Sequence, residues 1–202
     1  MKIKICGLNP IRDVQLCIDL KVNYLGFVFY EKSPRNTSLS DIKFLSKYKK
    51  KNTAFVAVTV NPSNEFIKEY LIGNFSFIQL HGSETKERVS EIKNMGFKII
   101  KAIKVKEEQD IDKHKNFYNA DIILFDTPGL EKSLEFPKNL IDKLPLGEKY
   151  ALAGSISVDN VANIHKLGVN FFDLSSSLES QLGYKDHLKI KEFINKINEI
   201  KN

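Results

Sequence analysis

Short apolar runs recur along the chain with amphipathic text between them: IKIC, YLGFVFY, AFVAVTV, FIQLHG, KIIKAIKV, DIILFDT, YALAG and FFDLSS. They are rich in β-branched and aromatic residues and flanked by Gly, Pro, Asn or Ser, so each reads as a buried strand. The intervening segments carry helical spacing: RDVQLCIDLK, SLSDIKFLSKYKK, NPSNEFIKEYLIGN, SETKERVSEIKNMG, EEQDIDKHKNFYN, PKNLIDKL, SVDNVANIHKLG and HLKIKEFINKINEI. In SETKERVSEIKNMG, Ser83 is expected to cap the start and Gly96 to mark the stop. The basic KYKKKN stretch is expected to end the second helix, where positive charge suits the negative end of the dipole. Strict alternation of continuously apolar strands with amphipathic helices implies parallel strands covered by helices. Eight such units predict an α/β fold, a single-domain (β/α)8 TIM barrel over residues 1–202, with an open doubly wound sheet as the alternative that pattern alone leaves standing.

Composition narrows the function classes. The 202 residues suit one core, and no run approaches the ~20 apolar residues of a membrane span. MKIKICGLNP alternates charge with apolar side chains and lacks the uninterrupted apolar run of a signal peptide. Two cysteines, Cys6 and Cys17, are too few for a disulfide framework, so a cytoplasmic protein is expected. No CxxC and no metal-ligand spacing occur. The net charge of +6 comes from lysines interspersed with acids, which reads as a solvated surface rather than a nucleic-acid site.

In barrels the chemistry gathers at the C-terminal ends of the strands, so polar residues that close an apolar run carry the most weight. These are Cys6, Arg35 in SPR, Asn61, His81, Asp126, the Gly154–Ser155 pair and Ser175–Ser176–Ser177. Cys6 is either a small buried hydrophobe or a thiol placed to take a proton. Arg35 is one of only three arginines, and its planar fork binds a carboxylate bidentately where lysine cannot. His81 reads equally as substrate-lining and as a structural histidine. Cys17, His114, His165 and His187 lie in helical text and need no functional account. Gly154, Ser155 and the three serines fit a phosphate site built by the loops after strands seven and eight, with SSSLES starting a short helix whose amides hold the anion.

Read together, KICGL, GFVFYEKSPR, VTVNPS, IQLHGSE, KAIKV, ILFDT, ALAGSISVDNV, DLSSSLES and GYKD resemble phosphoribosylanthranilate isomerase, in order and from end to end. The resemblance implies a (β/α)8 barrel that carries out the Amadori rearrangement of N-(5'-phosphoribosyl)anthranilate in tryptophan biosynthesis, without metal or organic cofactor. It implies that Cys6 is the general base at ribose C2', that Asp126 is the general acid at the ring oxygen, and that Arg35 lies near the anthranilate carboxylate. The partner it implies is a small sugar phosphate, for a monomer or homodimer. The chain departs from the family pattern at Ser155 and Ser177, where glycines are usual, and in TPGLEKSLEF, where a Gly-rich stretch is usual. Serine at 155 is expected to take ordinary backbone dihedrals, its hydroxyl adding a donor. A ribulose-phosphate epimerase would show metal-binding His and Asp at strand ends, and an indole-glycerol-phosphate synthase a catalytic lysine with paired glutamates. Neither set is evident, and retention of Cys6 and Asp126 argues against an inactive scaffold.

Overall fold

Eight parallel strands pair in chain order and close on themselves: β1 (Lys2–Cys6), β2 (Tyr24–Phe29), β3 (Ala54–Thr59), β4 (Phe77–Leu80), β5 (Lys98–Lys104), β6 (Ile122–Asp126), β7 (Tyr150–Leu152) and β8 (Phe171–Leu174). The structure, a computed structural model, describes residues 1–127 and 136–201. Most of the TPGLEKSLEF stretch, residues 128–135, lies outside the described residues. Closure settles the choice between barrel and open sheet, because β8 pairs with β1 in register from Lys2↔Phe171 to Ile5↔Leu174. No helix of the described residues is long and apolar enough to cross a membrane.

Strand alternation sends every second side chain inward. Val56, Val58, Ile100, Leu124 and Ala151 fill the barrel interior, while Ile5, Phe27, Phe55 and Phe172 face the helices. At the N-terminal end an aromatic floor closes the barrel. Tyr24 stacks on Phe171 at 5.1 Å between ring centroids and meets Phe77 edge-on at 5.3 Å.

The helices are α1 (Val14–Asp19), α2 (Ile42–Leu45), α3 (Asn64–Phe66, continuing as a π-turn over Ile67–Leu71), α4 (Lys86–Asn94), α5 (Glu108–Asp112), α6 (Lys138–Ile141), α7 (Val161–Lys166) and α8 (His187–Lys201). Several are shorter than their amphipathic text. α2 buries only Ile42 and Leu45 and stops there, so KYKKKN follows the helix instead of ending it. The cap of α4 is Thr85, whose hydroxyl accepts from Arg88 N–H at 3.2 Å, not Ser83. Gly96, at φ +99°, stands just past the end of that helix as expected.

The largest difference from expectation follows β8. The short helix expected at SSSLES is only a single 3₁₀ turn, Ser176–Leu178, and the chain then forms an antiparallel hairpin of β9 (Glu179–Gln181) and β10 (Tyr184–Lys185) before α8. The hairpin turns at Gly183, whose φ is +82°. It is held inward by Glu179, which pairs with Arg35 and Lys185.

Candidate active site

One cavity of about 770 Å3 opens at the C-terminal end of the barrel. Cys6, Arg35, Asn61, His81, Asp126, Gly154, Ser155 and Ser175–Ser177 all line it, so every strand-end residue singled out above comes to the same opening. A space of this size suits a drug-sized or sugar-phosphate ligand. Among the described residues no group of three or more His, Cys, Asp or Glu is placed to hold a metal ion.

Cys6 closes β1, and the glycine after it has a steric cause. Gly7 sits at φ +75°, and a Cβ there would lie 2.6 Å from Cδ of Arg35. Only glycine lets the arginine stem cross the strand end. Across the sheet Cys6 is in register with Gly26, which leaves room for the sulfur. Burial pushes the Cys6 thiol up, and Lys4 opposes that rise. Cys17, fully buried on α1, is pushed by burial to about 12 and is a core residue as expected.

Asp126 closes β6. Its Oδ1 accepts from Thr127 N–H at 2.8 Å, and His81 Nε2 stands 3.3 Å from Oδ2. On the other side of the ring, Gln79 Nε2 and His81 Nδ1 share a hydrogen bond of 3.0 Å. His81 is therefore both a cavity wall and a partner of the carboxylate.

Arg35 lines the cavity, but its fork is engaged from within the protein. Nε and Nη2 donate to the two oxygens of Glu179 at 2.6 and 2.8 Å, and Lys185 Nζ reaches the same carboxylate at 2.6 Å. Burial works against the charge on Glu179, yet Arg35 and Lys185 outweigh it and hold the carboxyl below its ordinary value.

At the other side of the mouth, Ser155 has φ +49°, against the expectation of ordinary dihedrals. The turn after Gly154, itself at φ +103°, continues left-handed through the serine. Such a conformation costs a residue with a Cβ roughly 1–2 kcal/mol. Asn160 fixes it, donating to Ser155 O at 2.9 Å and accepting from Ser157 N–H at 2.9 Å. In the 3₁₀ turn the first hydrogen bond runs from Leu178 N–H to Ser175 O, so the amides of Ser176 and Ser177 lie ahead of it. Ser175 Oγ donates to Cys6 O at 3.2 Å and ties this turn to β1.

Four further residues shape the site without having stood out in the sequence. Lys4 and Asp173 form a buried pair beneath Cys6, Nζ to Oδ2 at 2.8 Å. Gln79 and Glu179 hold His81 and Arg35. A usable signal exists for the first three: each stands two residues before a strand-end residue, at the parity that faces inward.

Comparison with known proteins agrees with this geometry. The family model described as N-(5'phosphoribosyl)anthranilate (PRA) isomerase matches residues 3–196. The N-(5'-phosphoribosyl)anthranilate isomerase of Aquifex aeolicus is 36% identical over 209 residues, spanning 96% of this chain and 97% of the relative. Among solved structures, a phosphoribosyl anthranilate isomerase in complex with reduced 1-(o-carboxyphenylamino)-1-deoxyribulose 5-phosphate superposes with a TM-score of 0.83 at 28% identity, over 98% of this chain and 99% of the other. Monomers generated from the dimeric phosphoribosylanthranilate isomerase of Thermotoga maritima match with the same score, identity and coverage.

Proposed function

The chain belongs to the N-(5'-phosphoribosyl)anthranilate isomerase family, and from that premise we propose how its residues divide the reaction. The enzyme converts N-(5'-phosphoribosyl)anthranilate to 1-(2-carboxyphenylamino)-1-deoxyribulose 5-phosphate, a step of tryptophan biosynthesis. Protons move at four atoms of the substrate. The ring oxygen must gain a proton so that its bond to C1' breaks and leaves an iminium. C2' must then lose its proton to give an enolamine, which becomes the ketone when C1' gains a proton and the 2'-hydroxyl gives its own up.

Asp126 is the acid and Cys6 the base. The observation that carries this reading is that they open into one cavity from β6 and β1, so that a ribose between them meets each on a different side. His81 orients the Asp126 carboxyl through Nε2. The phosphate is assigned to Gly154, Ser155 and the Ser175–Ser177 turn, with the amides ahead of the turn's first hydrogen bond as donors. The anthranilate carboxylate is assigned to Arg35, whose Nε and Nη2 also donate to Glu179.

Free thiols at Cys6 and Cys17 suit a reducing compartment, and we place the enzyme in the cytoplasm as one barrel domain. Assembly is proposed to go no further than the homodimer, the state named for the T. maritima relative.

The test is Cys6→Ser, followed by the loss of anthranilate fluorescence on turnover. A hydroxyl is a far poorer base than a thiolate, so kcat should fall about 10²–10⁴-fold with little change in KM. Turnover within a few-fold of wild type would remove Cys6 from the mechanism.

A further inference from the structure

We propose that Lys4 is a positioning residue for this reaction: its ammonium eases ionisation of the Cys6 thiol, and Asp173 sets how much of that charge the sulfur feels. The proposal rests on the reading of Cys6 as the base.

The two residues stand two apart on β1, so both side chains point into the barrel. Lys4 is only 1% exposed, among the most deeply buried large side chains of the molecule. Its Nζ lies 2.8 Å from Asp173 Oδ2, on the strand paired in register with it. The sulfur and the ammonium converge on Gly26: a Cβ built there would be 3.1 Å from Cys6 Sγ and 3.3 Å from Lys4 Nζ. Gly26 thus leaves open the space that both groups border.

A buried ammonium is costly, and an apolar side chain of similar volume usually serves a core as well or better. If the pair existed for its own stability, both carboxylate oxygens would be satisfied. Asp173 Oδ1 is buried with no hydrogen-bond partner among the described residues. Burial pushes the Asp173 carboxyl up further than Lys4 pulls it down. Burial also works against the charge on Lys4, yet Asp173 and Cys6 together outweigh it and hold Lys4 above its ordinary value.

The groups facing the sulfur have opposing effects. Lys4 on β1 and Lys185 on β10 favour the thiolate, and Asp173 on β8 disfavours it. Lys185 is itself paired with Glu179 and Arg35 nearby, so most of its charge is already met. Asp126 and His81 act on Asp173 from across the mouth, with opposite signs. Lys4 is the cation with the largest effect on the sulfur, and Asp173 is its direct competitor.

That competition gives two variants with opposite signs. Alkylation of Cys6 by iodoacetamide, resolved by peptide mass spectrometry across a pH series, reads the thiolate fraction directly. Lys4→Met should slow it at neutral pH by about tenfold or more, a shift of one unit being a factor of ten, and move the inflection to higher pH. Asp173→Asn frees the ammonium for the sulfur and should speed alkylation and move the inflection lower. The alkaline limb of kcat should move with the inflection in each folded variant. If Lys4→Met does not fold, the near-isosteric Asp173→Asn decides the matter alone. An unchanged inflection in a folded variant, or a shift of both in one direction, overturns the proposal. A Cys6→Ser enzyme with wild-type turnover would instead remove the base assignment while leaving the alkylation result intact, so the two failures are distinguishable.

Discussion

Two of the buried lysine–carboxylate pairs among the described residues, one inside the barrel and one outside it, are built to different standards. Lys101, on β5, points outward and pairs with Glu84 at 2.6 Å in the loop before α4. Every remaining valence there is met. Lys101 Nζ also donates to Leu80 O and Gly82 O, and Glu84 Oε1 accepts from Asn61 N–H and Gly82 N–H. The result is a clasp that fixes the ends of β3 and β4, with Asn61 held at φ +48°. The inner pair, Lys4–Asp173, has comparable length but leaves Oδ1 without a partner. A saturated pair holds a loop still, whereas an incomplete pair keeps charge available to a neighbour, here the Cys6 sulfur.

Breaking the outer pair should give the larger loss of stability. Lys101→Met leaves Glu84 buried and uncompensated, a change that typically costs about 3–5 kcal/mol, and the urea midpoint should drop accordingly. A midpoint within error of wild type would show that the clasp contributes little.

Acidification should separate the pairs by sign. Burial works against the charge on Glu84, but Lys101 and the amides outweigh it and hold the carboxyl below its ordinary value. Its contribution is therefore present above the unfolded Glu value and lost as pH falls through the folded one. Asp173 is raised, so its proton uptake on the way down from neutral pH stabilises the fold. Plotted as urea midpoint against pH, Glu84→Gln should flatten the acid limb, and Asp173→Asn should remove a gain at milder pH. Parallel curves for both variants would erase the contrast.

The smallest effect is expected for Asp173→Asn at neutral pH. The ammonium it leaves behind has a second partner, because Cys6 can ionise, so the loss should be about 1–2 kcal/mol and less than for Lys101→Met. A loss equal to that of Lys101→Met would mean that Cys6 does not share the charge.

The strands were legible because parallel barrel strands are apolar on both faces, and all eight apolar runs became barrel strands in order. Helix lengths were less so: amphipathic text continues past the last buried side chain, as at Leu45, and only packing decides where a helix ends. The hairpin after β8 was illegible, since ESQLGYK is short and polar and is fixed by Arg35, 144 residues away in sequence from Glu179. That same distant contact gives the Arg35 fork a partner within the protein. Strand ends pointed to Cys6 and Asp126 by residue type alone, but Lys4 and Asp173 look like charges lost in apolar runs until the closed ring puts β8 beside β1.

The aromatic floor formed by Tyr24, Phe77 and Phe171 makes the barrel a blind-ended vessel. Whatever enters at the mouth must back out by the same route, so product and substrate share a single doorway and cannot queue through the protein. Product inhibition should then be strictly competitive, and a ligand that merely stoppers the mouth would arrest traffic in both directions without touching Cys6.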